Sequence, residues 1–173
     1  MTYSRRSFLS VLTLVALALT LGQAPATVAV AMPQAAEEPA FPVSRLSVAT
    51  QRGRFQFMVE VAETPSTWQQ GLQRRQHLAL DAGMLFDFQQ PRPISMWMKD
   101  TLISLDMIFI DEHGVVVNVA ENTVPLSLVA ISANVPVLAV LEVNAGTAAR
   151  LGIRPGDRVD HPIFAASAVA PAK

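Results

Sequence analysis

The chain has 173 residues, with 13 Lys and Arg against 14 Asp and Glu, three His and no Cys. The lack of Cys excludes disulfides, Cys-ligated zinc, a Cys nucleophile and a lipidated N-terminal Cys. A near-balanced charge with no basic stripe argues against nucleic acid or an anionic membrane as a partner.

The N-terminal stretch reads as an address rather than as fold. "SRRSFLS" (Ser4 to Ser10) precedes the uncharged run "VLTLVALALTL" and then Ala29-Val30-Ala31. That order of basic region, apolar region and small-x-small site is a secretory signal peptide over residues 1–31, cleaved after Ala31. Arg5-Arg6 followed by Phe8-Leu9 resembles a twin-arginine export signal, with the ordinary secretory route as the alternative. The apolar run falls short of the roughly 18 residues a spanning helix needs. The expected location is therefore periplasmic or secreted, with no membrane insertion after cleavage. Losing Arg5 and Arg6 leaves 11 Lys and Arg against 14 Asp and Glu, a mature net charge of −3.

Residues 32–42, "MPQAAEEPAFP", are aperiodic and read as a flexible tether, and 165–173, "AASAVAPAK", as a disordered tail. Between them, 43–164 has the size of one self-sufficient domain. "RLSVAT" and "RFQFMVEVA" alternate apolar with polar residues and pair as a hairpin turning at Gly53. "TPSTWQQGLQRR" predicts a three-turn helix, with Thr64 as N-cap, Pro65 at the first helical position, and Arg74 and Arg75 at the C-terminal end. Gly71 within it implies close packing on a sheet.

"GMLFDF", bounded by Pro91 and Pro93, and "ISMWMK" follow as two strands. "LDMIFID" and "VVVNVA" form a hairpin around "EHG", where Gly114 supplies a positive φ. "VPVLAVLEV" is a buried strand, "NAGTAARLG" a short helical turn stopped by Gly152, and "PGDRVD" leads into a last strand. About eight strands with one principal helix predict a mainly β (α+β) fold, a compact β-sandwich or barrel-like domain.

Asp106 poses the chemical question. In "LDMIFI" both strand faces are apolar, so the strand is covered on both sides and its carboxylate needs a partner. Lys99, Arg75 and the Thr101 hydroxyl are the candidates. One reading makes Asp106 structural, in an ion pair or accepting backbone N–H groups. The other gathers Arg75, Trp97, Lys99, Asp100, Thr101, Asp106 and Glu142 into one ligand cleft around the Lys99–Asp106 bend.

Other chemistries carry weaker signals. Met96 and Met98 share a strand face roughly 7 Å apart, and thioethers suit Cu(I). His77, His113 and His161 are scattered, with no zinc spacing. Asp106 opposite Asp100 or Glu142 offers a carboxylate pair for hydrolysis, but there is neither a Gly-x-Ser-x-Gly elbow nor a Gly-rich phosphate loop. The sequence thus favours a cofactor-free module for a small polar or carbohydrate-like ligand over an enzyme, names no catalytic residue, and leaves the oligomeric state open.

"GLQRR", "GMLFDF", "MWMKDT", "SLDMIFID", "VLEVNAG" and "GIRPGD", in that order, resemble the family called domain of unknown function 192, over roughly Phe55 to Val159. The chain departs from the family pattern at Gln73, at Asp100 (Asn in the pattern) and at Ser104 (Pro in the pattern). The resemblance implies a compact β-rich fold with one conspicuous helix, often behind a signal peptide, and no particular reaction. "GTAARLGIRPGDRV" also resembles a segment of PDZ domains, but no carboxylate-binding loop accompanies it.

Overall fold

The computed structural model describes residues 41–167. The segment read as a signal peptide, most of the segment read as a tether and residues 168–173 lie outside the described residues. Seven strands form one sheet: β1 (Val43–Thr50), β2 (Gly53–Ala62), β3 (Ala82–Met96), β4 (Leu105–Ile110), β5 (Val116–Ala120), β6 (Ile131–Asn144) and β7 (Arg158–Asp160). Three short helices accompany them: α1 (Pro65–Gln70) between β2 and β3, α2 (Thr147–Leu151) between β6 and β7, and α3 (Pro162–Ser167) after β7. Strand order is β5-β4-β6-β3-β2-β1-β7. Every pairing is antiparallel except β2 with β3. Parallel neighbours need a crossover, and the segment containing α1 supplies it.

The sheet curls until its two edges touch. Val115 bridges Arg158, and around this bridge the Val116 N–H donates to Asp157 O (2.9 Å) and the Val159 N–H to Gly114 O (2.7 Å). Gly114 has φ 76°, and a Cβ there would lie 2.6 Å from Val159 O. Glycine at this position thus meets both the positive φ of the hairpin and the close approach of the edges.

Alternation along the central strands builds two cores. The concave face packs Leu46, Val48, Phe57, Val59, Leu85, Ile108, Leu141 and Val143 against Ala148 and Leu151 of α2. The opposite face packs Met84, Phe86, Met107, Phe109 and Val140 beneath Leu72 and Met98. All six residues of β4 are buried, as expected for a strand with apolar residues on both faces.

The mainly β class is as the sequence predicts, and several details differ. There are seven strands rather than about eight, because β3 runs continuously from Ala82 to Met96 through Pro91 and Pro93. Pro91 falls within the register shift between Asp87 and Arg92, and Pro93 stands opposite Pro136 at the edge of the second shift, between Pro93 and Ser95. The expected three-turn helix is the six-residue α1. Its Thr64 cap forms the reciprocal capping box with Thr67, but Gly71 ends it at φ 46°. Arg74 and Arg75 therefore lie beyond the helix. The sequence reading missed α3, part of which falls in the segment read as a tail.

Candidate functional site

Register decides which polar side chains share a face. Glu142 of β6 pairs with Met84 of β3 and with Met107 of β4, so all three point to the convex side. Asp106 pairs with Val143, one residue along, and points to the concave side. The two carboxyls expected to converge are separated by the sheet itself.

Asp106 is fully buried and its partners are backbone groups. Its Oδ1 accepts from the Asn122 N–H (2.8 Å) and the Gly146 N–H (3.2 Å), and its Oδ2 from the Ala148 N–H (2.8 Å). One carboxylate thereby pins β4 to the loop after β5 and to the start of α2. Lys99, Arg75 and Thr101, the partners considered from sequence, are not the ones it has. Arg75 instead forms a bidentate pair with Glu60 of β2 at 2.6 and 2.5 Å and lies 6.0 Å from the Phe41 ring centre.

On the convex side, α1 and the 97–104 loop leave a cleft of about 300 Å³ over β3 and β6. Trp68 is set by its indole N–H, which lies 2.9 Å from both Ala62 O and Asp87 O. Gly71 passes directly over Phe86, where a Cβ would lie 3.0 Å from the ring. The Arg74 N–H donates to Asp100 O (2.8 Å), tying the loop after α1 to the 97–104 loop. Asp100 sits at φ 56°, a conformation that Asn and Asp tolerate better than most residues. Behind the loop, the Met98 N–H bonds Ser127 O (2.9 Å) and Thr101 O accepts from the Leu126 N–H (3.1 Å).

Of the seven residues nominated from sequence, Trp97, Lys99, Thr101 and Glu142 line this cleft, whereas Arg75, Asp100 and Asp106 do not. The structure adds Trp68, Phe86, Phe88, Arg92 and Met96 among others. The Arg92 guanidinium lies 5.1 Å from the Trp68 ring centre and 5.4 Å from that of Phe88, and Lys99 Nζ lies 5.7 Å from that of Trp97. Among the described residues neither cation has a carboxylate partner. The proximity of Arg92 to these rings gave no sequence signal beyond an Arg held between two prolines.

Glu142 is the only acid in the lining, and it is 4% exposed. Its carboxyl makes no hydrogen bond among the described residues. No sealed side-chain oxygen or nitrogen is left unbonded either, so this carboxyl keeps a window onto the cleft. Burial pushes its pKa up from 4.5 to about 8, because the charged form loses water and gains no cation or donor in exchange. At neutral pH it is mostly protonated and offers one O–H donor beside acceptor oxygens.

The other nominated chemistries are laid out differently. Met98 is sealed in the core with its sulfur 3.2 Å from the Thr123 hydroxyl, while Met96 stands in the cleft wall. No three His, Asp or Glu side chains among the described residues are placed to hold a metal ion. A two-carboxylate arrangement does not form between Asp106 and Glu142, since they face opposite sides of the sheet.

A curled, mixed seven-stranded sheet with three short helices places the described residues in the mainly β class. The family profile of DUF192, described as "Uncharacterized ACR", matches residues 47–161, and the chain belongs to that family. Among solved structures it is similar to a protein of Sinorhizobium meliloti 1021 given a proposed designation as transcription regulator. That match has 45% identity and TM-score 0.69, over 71% of this chain and 96% of the other. It is also similar to a protein of unknown function from Novosphingobium aromaticivorans, at 40% identity and TM-score 0.67, over 69% and 85% of the two chains. Comparison with curated proteins gives no match.

Proposed function

We propose that the protein binds a small polar, carbohydrate-like ligand in the cleft between α1 and the 97–104 loop. The observation that carries this reading is Glu142, a carboxyl buried without a hydrogen-bond partner yet open to the cleft. Burial strips this carboxyl of most of its water, a loss that a ligand's hydroxyl or ring oxygen would offset. Aromatic walls with a few convergent polar groups are the usual make-up of a small-ligand site, and about 300 Å³ stands at the small end of such sites. A binding module ranks above a hydrolase because the lining holds a single acid. It ranks above a Cu(I) site because Met98 sulfur is turned into the core. The regulator designation of the Sinorhizobium protein is not carried over, since a mature charge of −3 does not favour a polyanion.

The test is calorimetry and thermal shift against a panel of monosaccharides, disaccharides and small organic acids. At least one compound is expected to raise Tm by a few degrees at about 100 times its Kd. Trp97→Ala should lower that affinity about tenfold or more with the fold intact, because Trp97 is 51% exposed and carries little of the core. A panel without a single shift contradicts the proposal.

We also read the protein as exported, on Arg5-Arg6, the apolar run and Ala29-Val30-Ala31. Fractionation of the full chain should recover a processed form beginning at Met32 outside the cytoplasm. Recovery of the unprocessed chain in the cytoplasm would contradict it.

A further inference from the structure

The charges of the cleft narrow the ligand class. Arg92 comes from β3 and Lys99 from the loop that follows it, and both line the cleft. The ion pairs among the described residues join Arg54 to Asp160, Arg75 to Glu60, Arg158 to Asp160 and His113 to Glu112, leaving these two cations without acidic partners. The one acid of the lining is uncharged for the most part at neutral pH, because burial favours its protonated form. The cleft therefore carries a local positive charge in a domain whose overall balance is negative.

The rings do not offset this in favour of a cationic guest. Trp68, Phe88 and Trp97 already have Arg92 or Lys99 at 5.1–5.7 Å from their centres. A bound ammonium group would meet those cations rather than open π-faces. The Arg92 guanidinium makes no hydrogen bond among the described residues, so the donors of its fork remain for a carboxylate, which that geometry matches.

We infer that the ligand is a sugar acid, its carboxylate held by Arg92 and Lys99 and a hydroxyl or ring oxygen meeting Glu142. The carboxylate supplies the charge the two cations lack, and the polyol supplies groups able to donate to and accept from a protonated carboxyl. This inference rests on the reading of the cleft as a ligand site.

The experiment is calorimetry on the full mature chain at pH 6.5 with D-glucuronate, D-galacturonate, D-glucose, D-galactose and D-glucosamine, at low and high salt. A uronate is expected to bind at least about tenfold more tightly than its neutral parent, with the advantage shrinking as salt screens the cations. Lys99→Gln and Arg92→Gln should each remove most of that advantage. Arg150→Gln, an exposed cation on α2 outside the cleft, should keep it. Both cleft cations are exposed, so these variants are expected to fold, and matching thermal unfolding to wild type verifies this. Neutral sugars or glucosamine binding as tightly as the uronates would overturn the inference and leave the cleft-binding proposal standing. If no uronate binds while other members of the wider panel do, the inference falls alone. If no compound of any class binds, both fall.

Discussion

Glu142→Gln is expected to stabilise the protein at pH 8 and to leave it nearly unchanged at pH 4.5. In the folded chain the Glu142 carboxyl holds its proton up to about 8, whereas unfolded it would release it near 4.5. Between those values the unfolded state binds fewer protons than the folded one, so stability falls as pH rises. The favourable contribution is fully present below 4.5 and is lost as pH passes through about 8. At pH 7 the accumulated cost is on the order of 3 kcal/mol. Gln keeps the shape and removes the titration, so the two stability curves should meet at the acid end and separate steadily toward pH 8. Urea unfolding at pH 5, 6.5 and 8 checks this. Parallel curves across that range would mean that Glu142 ionises in the folded state as easily as in water.

Asp106→Asn should act in the opposite sense and destabilise the fold. Asp106 accepts three backbone N–H groups, from Asn122, Gly146 and Ala148. An amide places an NH₂ against at least one of those donors and leaves it unsatisfied in a site with no access to water. Hydrogen bonds to a charged acceptor are each worth about 1.5–3 kcal/mol, so a loss of about 2–4 kcal/mol is expected for the variant. Hydrogen exchange should locate the damage, with the amides of Asn122, Gly146 and Ala148 losing protection first. A change below about 0.5 kcal/mol, the range of ordinary surface substitutions, would contradict the anchoring role. These two carboxyls thus separate the two readings left open by the sequence. Asp106 is the structural acid and Glu142 the one that faces a cleft.

How much was legible follows from the range over which each feature is determined. Alternation along "RFQFMVEVA" marked β2 (Gly53–Ala62) almost to the residue, because half-burial imposes a period of two locally. The apolar content of both faces of "LDMIFI" implied a strand covered on both sides, as β4 is. The Thr64 cap and the positive φ of Gly114 are likewise local requirements. The length of α1 was not legible: Gly71, read as a packing glycine inside the helix, is also its stop at φ 46°, over Phe86 of another element. Nor did Pro91 and Pro93 announce a continuous β3, because whether a proline interrupts a ladder depends on the register of its neighbour.

The site divides along the same line. Trp97, Lys99 and Thr101 are close in sequence and remain close in space. Glu142 reaches them because β6 pairs with β3, whereas Trp68 and Arg92 reach each other only through the parallel β2–β3 crossover. The partners of Asp106 are main-chain amides, which any residue type supplies and no motif spells out. An exposed cation beside a carboxylate in sequence suggested an ion pair, but the strand register directs the two to different environments.

The central claim is that an unpaired, protonated carboxyl forms part of the lining of a ligand cleft. An NMR titration of the Glu142 side-chain carboxyl carbon in isotopically labelled protein tests it most directly. The account predicts a midpoint near 8 in the free protein. A midpoint at 4.5, the value of an unperturbed glutamate, would contradict it.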